Sequence, residues 1–220
     1  MATPTSTSTS PTYSSPPTFS AIIEQDHNNI NKLAGRLSKA RTAAERGRLL
    51  LDVTWRLVRH DVSEDIVMRP AFIQQLGDEG REMAEHDRTD HDRAKQELLA
   101  IFELSLDSDD FPNVINRLFA ELLEHMKVES GEQIPRLEGM LDLFESQRLG
   151  REYIRTQMLT PDLEYLDASG MRRKMWRNVE EYARTDLSRF REIWEDFLAG
   201  RLRLMAETGG VAMPVVKGKL

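Results

Sequence analysis

The sequence contains no cysteine among its 220 residues. This absence excludes disulfides, thiolate zinc sites, iron–sulfur clusters and cysteine nucleophiles. A metal ion in this protein would therefore depend on imidazole and carboxylate ligands. The chain has 5 histidines with which to build such a site.

The chain also lacks long apolar runs and an excess of positive charge. No segment approaches the roughly 18 uninterrupted apolar residues of a membrane-spanning helix, and the N-terminus has no signal-peptide pattern. We therefore expect no membrane association and a cytoplasmic location. The formal net charge is −7, whereas phosphate binding needs a basic surface. We therefore expect no nucleic-acid partner.

The composition and periodicity predict an all-α protein with three parts. Residues 1–18 are rich in Ser, Thr and Pro, which predicts a disordered tail. Apolar residues at helical spacing predict a four-helix domain over 19–136 and a helical extension over 137–220. Proline is expected to end or kink the second helix. The predicted helices are 20–40, 44–70, 81–104, 112–130, 137–158 and 171–206.

The first four helices are joined by short connections, which favours an up-down-up-down bundle of antiparallel neighbours. The last predicted helix would be about 50 Å long if continuous, too long for another bundle helix, so a break is expected near Asp186 or Gly200. No strand of consequence is predicted. The extension is expected to cover the bundle or to mediate a homodimer.

Each of the four predicted bundle helices carries a histidine at a similar depth. These are His27, His60, His91 and His125, and the steps between them are 33, 31 and 34 residues. Such steps are expected if each helix with its loop returns the chain to one level. Bundle proteins build metal sites from inward-pointing side chains on facing helices.

Two of these histidines are followed four residues later by glutamate, as His60 with Glu64 and His125 with Glu129. Residues four apart on a helix lie about 40° apart around its axis, so both side chains project from one face. Each pair can chelate one metal ion or bridge two. Because helices two and four run in the same direction, a pseudo-two-fold axis can relate the two pairs.

These motifs resemble the hemerythrin-like family, or HHE cation-binding domain. The resemblance covers roughly residues 20–140. It rests on the order of histidines and glutamates and on local strings such as Glu24-Gln-Asp-His27 and Arg59-His60-Asp-Val-Ser-Glu64. The stretch Arg69-Pro-Ala-Phe72 is similar to fungal-type members.

The resemblance implies a di-iron centre with an oxo or hydroxo bridge. Glu64 and Glu129 would bridge the irons, and His27, His60, His91 and His125 would be terminal ligands. The implied function is binding of iron and a small diatomic such as dioxygen, in oxygen or iron binding or sensing. The alternative is a di-iron oxidoreductase acting on peroxide, nitric oxide or oxygen. An interaction module with a degenerate site is disfavoured because both glutamates are present.

The third helix departs from the oxygen carriers, which place two histidines four apart there. The residue four after His91 is Lys95, and His86 is turned about 140° away from it. The six ligands and a bridge then leave about two of roughly 12 coordination positions open. The extra position favours the enzyme. The carboxylates that could fill one position are Asp61, Asp87 and Asp90.

Overall fold

The computed structural model describes residues 16–205, so the predicted tail falls almost entirely outside the described residues. The helices are α1 (Phe19–Leu37), α2 (Ala43–Ser63), α3 (Arg69–Leu76), α4 (Asp78–Ile101), α5 (Phe111–Val128), α6 (Ile134–Glu138), α7 (Leu143–Thr156), α8 (Val179–Arg184) and α9 (Leu187–Leu198). The strands are β1 (Glu164–Leu166), β2 (Arg172–Lys174) and β3 (Arg203–Met205).

Helices α1, α2, α4 and α5 form the predicted four-helix bundle, so the all-α fold class is confirmed. Threonine is the N-cap residue of two of these helices. The side chains of Thr18 and Thr42 accept hydrogen bonds from backbone N–H groups of the first turn and so stabilise the start of α1 and α2. One apolar cluster fills one end of the bundle. Its most deeply buried members are Ile30, Leu37, Leu50, Val53, Leu98, Ile101, Phe111, Ile115 and Leu118.

Two of the bundle helices widen into π-helical turns and then continue. Segment Glu64–Met68 joins α2 to α3, and segment Glu129–Gln133 joins α5 to α6. A proline, Pro70 or Pro135, follows each glutamate by six residues. Proline lacks an N–H and its ring crowds the carbonyl four residues earlier, so it disturbs a regular α-helix. Pro70 was expected to end or kink the second helix. The helix instead forms a π turn just before this proline, and the chain remains helical to Leu76.

Helices α3 and α4 pack in close contact after a tight turn at Gly77, which has a φ of 63°. A Cβ atom on Gly80 would lie 1.9 Å from the carbonyl oxygen of Phe72, so only glycine fits there. This packing sets the start of α4, the helix that carries His91.

The predicted long helix over 171–206 is wrong. The chain forms β2, α8, α9 and β3 instead, and the breaks fall at both expected places: α9 begins after Asp186, and Gly200 adopts a φ of 70°. The predicted helix over 137–158 corresponds to α7, which begins later, and Leu137 and Glu138 are instead the last two residues of α6.

The expectation of no strand is wrong as well. The three strands form an antiparallel sheet in the order β2-β1-β3, in which Tyr165 pairs with Arg173 and Leu204. Each strand has only three residues, which is too short for an alternating pattern to be detected in the sequence.

The C-terminal segments pack onto the bundle rather than extending from it. Buried Tyr182, Phe190 and Trp176 form one apolar cluster with Val58 and Val62 of α2. The boundary at 136/137 and the homodimer remain predictions. Within residues 16–205, no helix combines the length and apolar character that crossing a bilayer requires.

Candidate metal centre

The first half of the centre is formed by His27 of α1 and His60 of α2, and Glu64 and Glu129 of the two π turns lie beside these histidines. One ligand atom from each lies within 4.8 Å of the others, and all four residues are buried. His27 Nε2 is 3.2 Å from Glu129 Oε2, and His60 Nε2 is 3.0 Å from Glu64 Oε1. The arrangement has the mixed nitrogen and oxygen donors of a transition-metal site.

The second half of the centre consists of Asp87, His91 and His125. Their ligand atoms also lie within 4.8 Å of one another. Oδ1 of Asp87 is 3.3 Å from Nε2 of His91 and 3.2 Å from Nε2 of His125. The two Nε2 atoms are 3.0 Å apart, so both imidazoles face one point.

The two glutamates lie between these halves. Glu64 faces His60 with Oε1 and faces His91 with Oε2, at 3.0 and 3.2 Å. Glu129 Oε2 is 3.2 Å from His27 Nε2 and 3.8 Å from His125 Nε2. Each glutamate begins one of the two π turns, a distortion that recurs at functional sites. The pairs predicted from the sequence therefore have equivalent settings on their helices.

The buried donor atoms fit a cation. Glu64, Asp87 and Glu129 are fully buried, and burial raises the pKa of Glu64 well above its usual value, with a further contribution from Glu129 and Asp87. Leaving such groups unpaired costs several kcal/mol each, a cost that a metal ion would remove. The buried atoms that make no hydrogen bond within the described residues include His27 Nε2, His60 Nε2, Asp87 Oδ1 and both carboxylate oxygens of Glu64 and Glu129.

The outer nitrogen of every histidine in the centre has a polar partner. Such contacts orient an imidazole and select the tautomer whose other nitrogen binds metal. All four Nε2 atoms are thereby left for the centre. The Nδ1 partners are Ser130 for His27 (2.8 Å), Tyr153 for His60 (2.8 Å), Asp61 for His91 (3.2 Å) and Asp90 for His125 (3.2 Å).

A buried arginine supports the second half. Arg69 is 1% exposed and donates to Asp61, Asp65 and Asp87. Burial disfavours the ionised form of Asp61, but His91 and Arg69 outweigh it and lower its pKa to about 2. Burial likewise disfavours charged His91, but Asp87 and Asp61 outweigh it and raise its pKa to about 9.

A cavity of about 30 Å³ lies against the centre between α2, α4 and α5. A space of this size holds a molecule of a few atoms at most. Lys95 lies at its edge and donates from Nζ to the carbonyl oxygen of Thr185, at 2.6 Å. The centre contributes His60, His91 and His125 to the lining, and the outer partner Asp61 also lines it. The apolar lining consists of Leu57, Val58, Ala94, Leu98, Leu122 and Met126.

All six residues predicted as ligands lie in this centre. Of the three carboxylates left open by the sequence, Asp87 enters the centre, whereas Asp61 and Asp90 contact outer histidine nitrogens. Asp87 and His91 have the same four-residue spacing as the two pairs that were recognised, so the signal was in the sequence. His86 points away, with a side chain 67% exposed.

Two outer partners were missed by sequence reasoning. Ser130 follows Glu129 directly in the π turn, so its place beside the centre could have been derived from the sequence. Tyr153 comes from α7, which lies in the C-terminal extension, and no spacing pattern connects it with His60.

Comparison with known proteins agrees with this geometry. The family model of the hemerythrin HHE cation binding domain matches residues 18–137. The chain belongs to this family. The matched region includes α1 to α5 and the π turn after α5, and therefore all seven side chains of the centre. Membership implies a metal-binding site, as the sequence predicted.

Two relatives extend the comparison. A hemerythrin-like protein of Schizosaccharomyces pombe is 31% identical over 143 residues, which are 65% of this chain and 70% of that protein. The crystal structure of a hemerythrin HHE cation binding domain-containing protein from Mycobacterium kansasii superposes with a TM-score of 0.57 at 18% identity. The superposition covers 64% of this chain and 85% of the mycobacterial chain, and it shows that the two proteins share a fold.

Proposed function

We propose that this hemerythrin-family protein holds two iron ions in its bundle and binds a small diatomic ligand such as dioxygen there, in oxygen or iron binding or sensing. One observation carries the proposal. Four imidazoles direct Nε2 toward one centre, and two buried glutamates lie between its halves. A single ion would not require carboxylates that face both halves.

The donor set supports iron over harder or softer ions. Imidazole and carboxylate suit iron and related transition metals, whereas copper(I) favours sulfur and magnesium favours oxygen alone. When bound, a pair of irons would supply reversible electron transfer and an open position for a ligand. Glu64 and Glu129 would bridge the ions, and the histidines and Asp87 would hold them singly.

The cavity supports a small neutral ligand. Its volume of about 30 Å³ and its six apolar lining residues admit a diatomic and exclude larger molecules. Lys95 lines the cavity, and its hydrogen bond to the Thr185 carbonyl holds the ammonium group toward the C-terminal extension. A mainly apolar lining of this kind would disfavour bulk water beside a bound ligand and so suppress its side reactions.

Asp87 bears on the choice between a binding protein and an oxidoreductase. As a seventh ligand it would fill one of the roughly two positions that six ligands leave open. About one position would then remain, as in an oxygen carrier. A single open position favours ligand binding over turnover. The second open position, which resulted from Lys95 in place of a histidine and favoured the enzyme, would be filled by Asp87.

The first test is metal analysis of the purified protein, with an expected ratio near two irons per chain. Glu64→Ala and His125→Ala should lose iron, whereas His86→Ala should retain it because His86 is outside the centre. Fewer than two irons in the wild type, or full iron content in Glu64→Ala, would contradict the proposal.

The second test distinguishes binding from turnover. Anaerobically reduced iron protein is mixed with dioxygen and followed by absorption spectroscopy. An adduct that disappears when dioxygen is removed is expected. Irreversible oxidation accompanied by turnover of peroxide, nitric oxide or dioxygen would instead identify an oxidoreductase.

Location in the cytoplasm stays a prediction.

A further inference from the structure

Helix α7 reaches the metal centre from outside the region that matches the family. The match ends at residue 137, and α7 spans Leu143–Thr156. Its Tyr153 is fully buried, and the phenol oxygen lies 2.8 Å from His60 Nδ1 and 3.1 Å from Asp26 Oδ2. The extension thus contacts the first half of the centre directly.

The direction of these two hydrogen bonds follows from the donors available. The Asp26 carboxylate also receives a hydrogen bond from Arg59 and can only accept when ionised. Tyr153 has a single hydroxyl hydrogen, and it donates this hydrogen to Asp26. Its oxygen must then accept from His60 Nδ1–H. His60 is held as the tautomer whose Nε2 lone pair faces Glu64.

Gln157, the residue that directly follows α7, secures the same arrangement. Gln157, one turn after Tyr153, donates from Nε2 to Asp26 Oδ2 at 3.2 Å. Asp26 immediately precedes His27, so α7 is connected to both histidines of one half of the centre. Asp87, His91 and His125 form the other half, and their hydrogen-bond partners within residues 16–205 come from other elements.

We propose that Tyr153 is a positioning residue for the half of the centre formed by His27 and His60, so that the C-terminal extension controls metal retention at that half. This inference rests on the metal binding proposed above. Partners of the outer nitrogen of a ligating histidine typically contribute 10–100-fold to metal affinity. The consequence is two metal positions of which only one depends on α7.

The test is a cobalt(II) titration of metal-free protein, followed by absorption in the visible range, for wild type, Tyr153→Phe and Tyr182→Phe. Tyr182 is a matched control, because it is also fully buried and its hydroxyl donates to the carbonyl oxygen of Leu159. Wild type and Tyr182→Phe should bind two ions tightly. Tyr153→Phe should bind one ion tightly and the other about 10–100-fold more weakly.

The outcomes separate this inference from the proposed function. If Tyr153→Phe binds both cobalt ions with the affinities of the wild type, the positioning role alone is overturned. Equal weakening of both positions, with a lower unfolding temperature of the metal-free protein, would show that the hydroxyl serves only folding and would also overturn it. A wild type that binds no cobalt would overturn both proposals.

A second variant covers the case in which Tyr153→Phe does not fold. Asp26→Asn keeps the tyrosine ring and removes the charge that orients its hydroxyl, so it should weaken the same single position. If Asp26→Asn binds both cobalt ions with the affinities of the wild type, the proposal is overturned.

Discussion

Arg69 donates from Nε to Oδ2 of Asp87, which leaves Oδ1 as the oxygen of that carboxylate that faces the metal centre. The arginine therefore restricts Asp87 to a single donor atom. Asp65 holds the other end of the guanidinium and in turn pairs with Arg191 of α9. A row of alternating charges thus connects the C-terminal extension with the second half of the centre.

Arg69→Met should destabilise the metal-free protein by about 3–5 kcal/mol, because it removes the buried cation that three buried aspartates share. Urea unfolding measures the loss. Arg136→Met is the control, since Arg136 pairs with Glu79 on the exposed surface, and its unfolding midpoint should match that of wild type. A loss below about 1 kcal/mol for Arg69→Met would show that the network is dispensable.

Asp87→Ala should weaken binding of one of the two ions by more than about 100-fold, because it removes one ligand atom from the ion that His91 and His125 would also hold. Asp90→Ala removes only the outer partner of His125 and should cost about 10–100-fold. Iron content after dialysis against a graded chelator measures both effects. Asp92→Ala, on an exposed position of α4, is the control. Equal losses in the Asp87 and Asp92 variants would refute a ligand role for Asp87.

Ala94→Leu should fill the cavity next to the centre without removing a ligand. The iron content should stay at the wild-type level, whereas crowding of about 1–3 kcal/mol should lower dioxygen affinity roughly tenfold or more. Ala100→Leu, on the exposed face of the same helix, should leave the affinity unchanged. Unaltered binding in Ala94→Leu would mean that the ligand enters elsewhere.

The pair of Asp61 and His91, 3.2 Å apart, should make stability of the metal-free protein depend on pH at both ends of the range. Folding lowers the pKa of Asp61 from 3.8 to about 2, so its contribution is present above pH 3.8 and is lost as pH falls toward 2. Folding raises the pKa of His91 from 6.5 to about 9, so its contribution is complete below 6.5 and is lost as pH rises through 9.

Urea midpoints of chelator-treated protein across this pH range measure both effects. Asp61→Asn should flatten the profile at both ends, and Asp162→Asn, a change at the surface, should leave it intact. A wild-type profile for Asp61→Asn would show that other groups determine the pH dependence.

The sequence by itself determined the bundle and its ligand spacing, because both are local. Helical periodicity is visible within any two turns, and residues four apart share a face in every α-helix, as His60 and Glu64 do. The same rule, applied backwards from His91, indicates Asp87. Steps of 31 to 34 residues then predict one common depth for the four histidines.

Only the tertiary structure decided which side chains from distant segments complete the centre. Tyr153 is 93 residues from His60, and Arg191 is 126 residues from Asp65. No local rule relates such positions, because their contact depends on how the extension packs onto the bundle. The three short strands were missed for the same reason: strands of three residues are stabilised by neighbours in space rather than by a pattern along the chain.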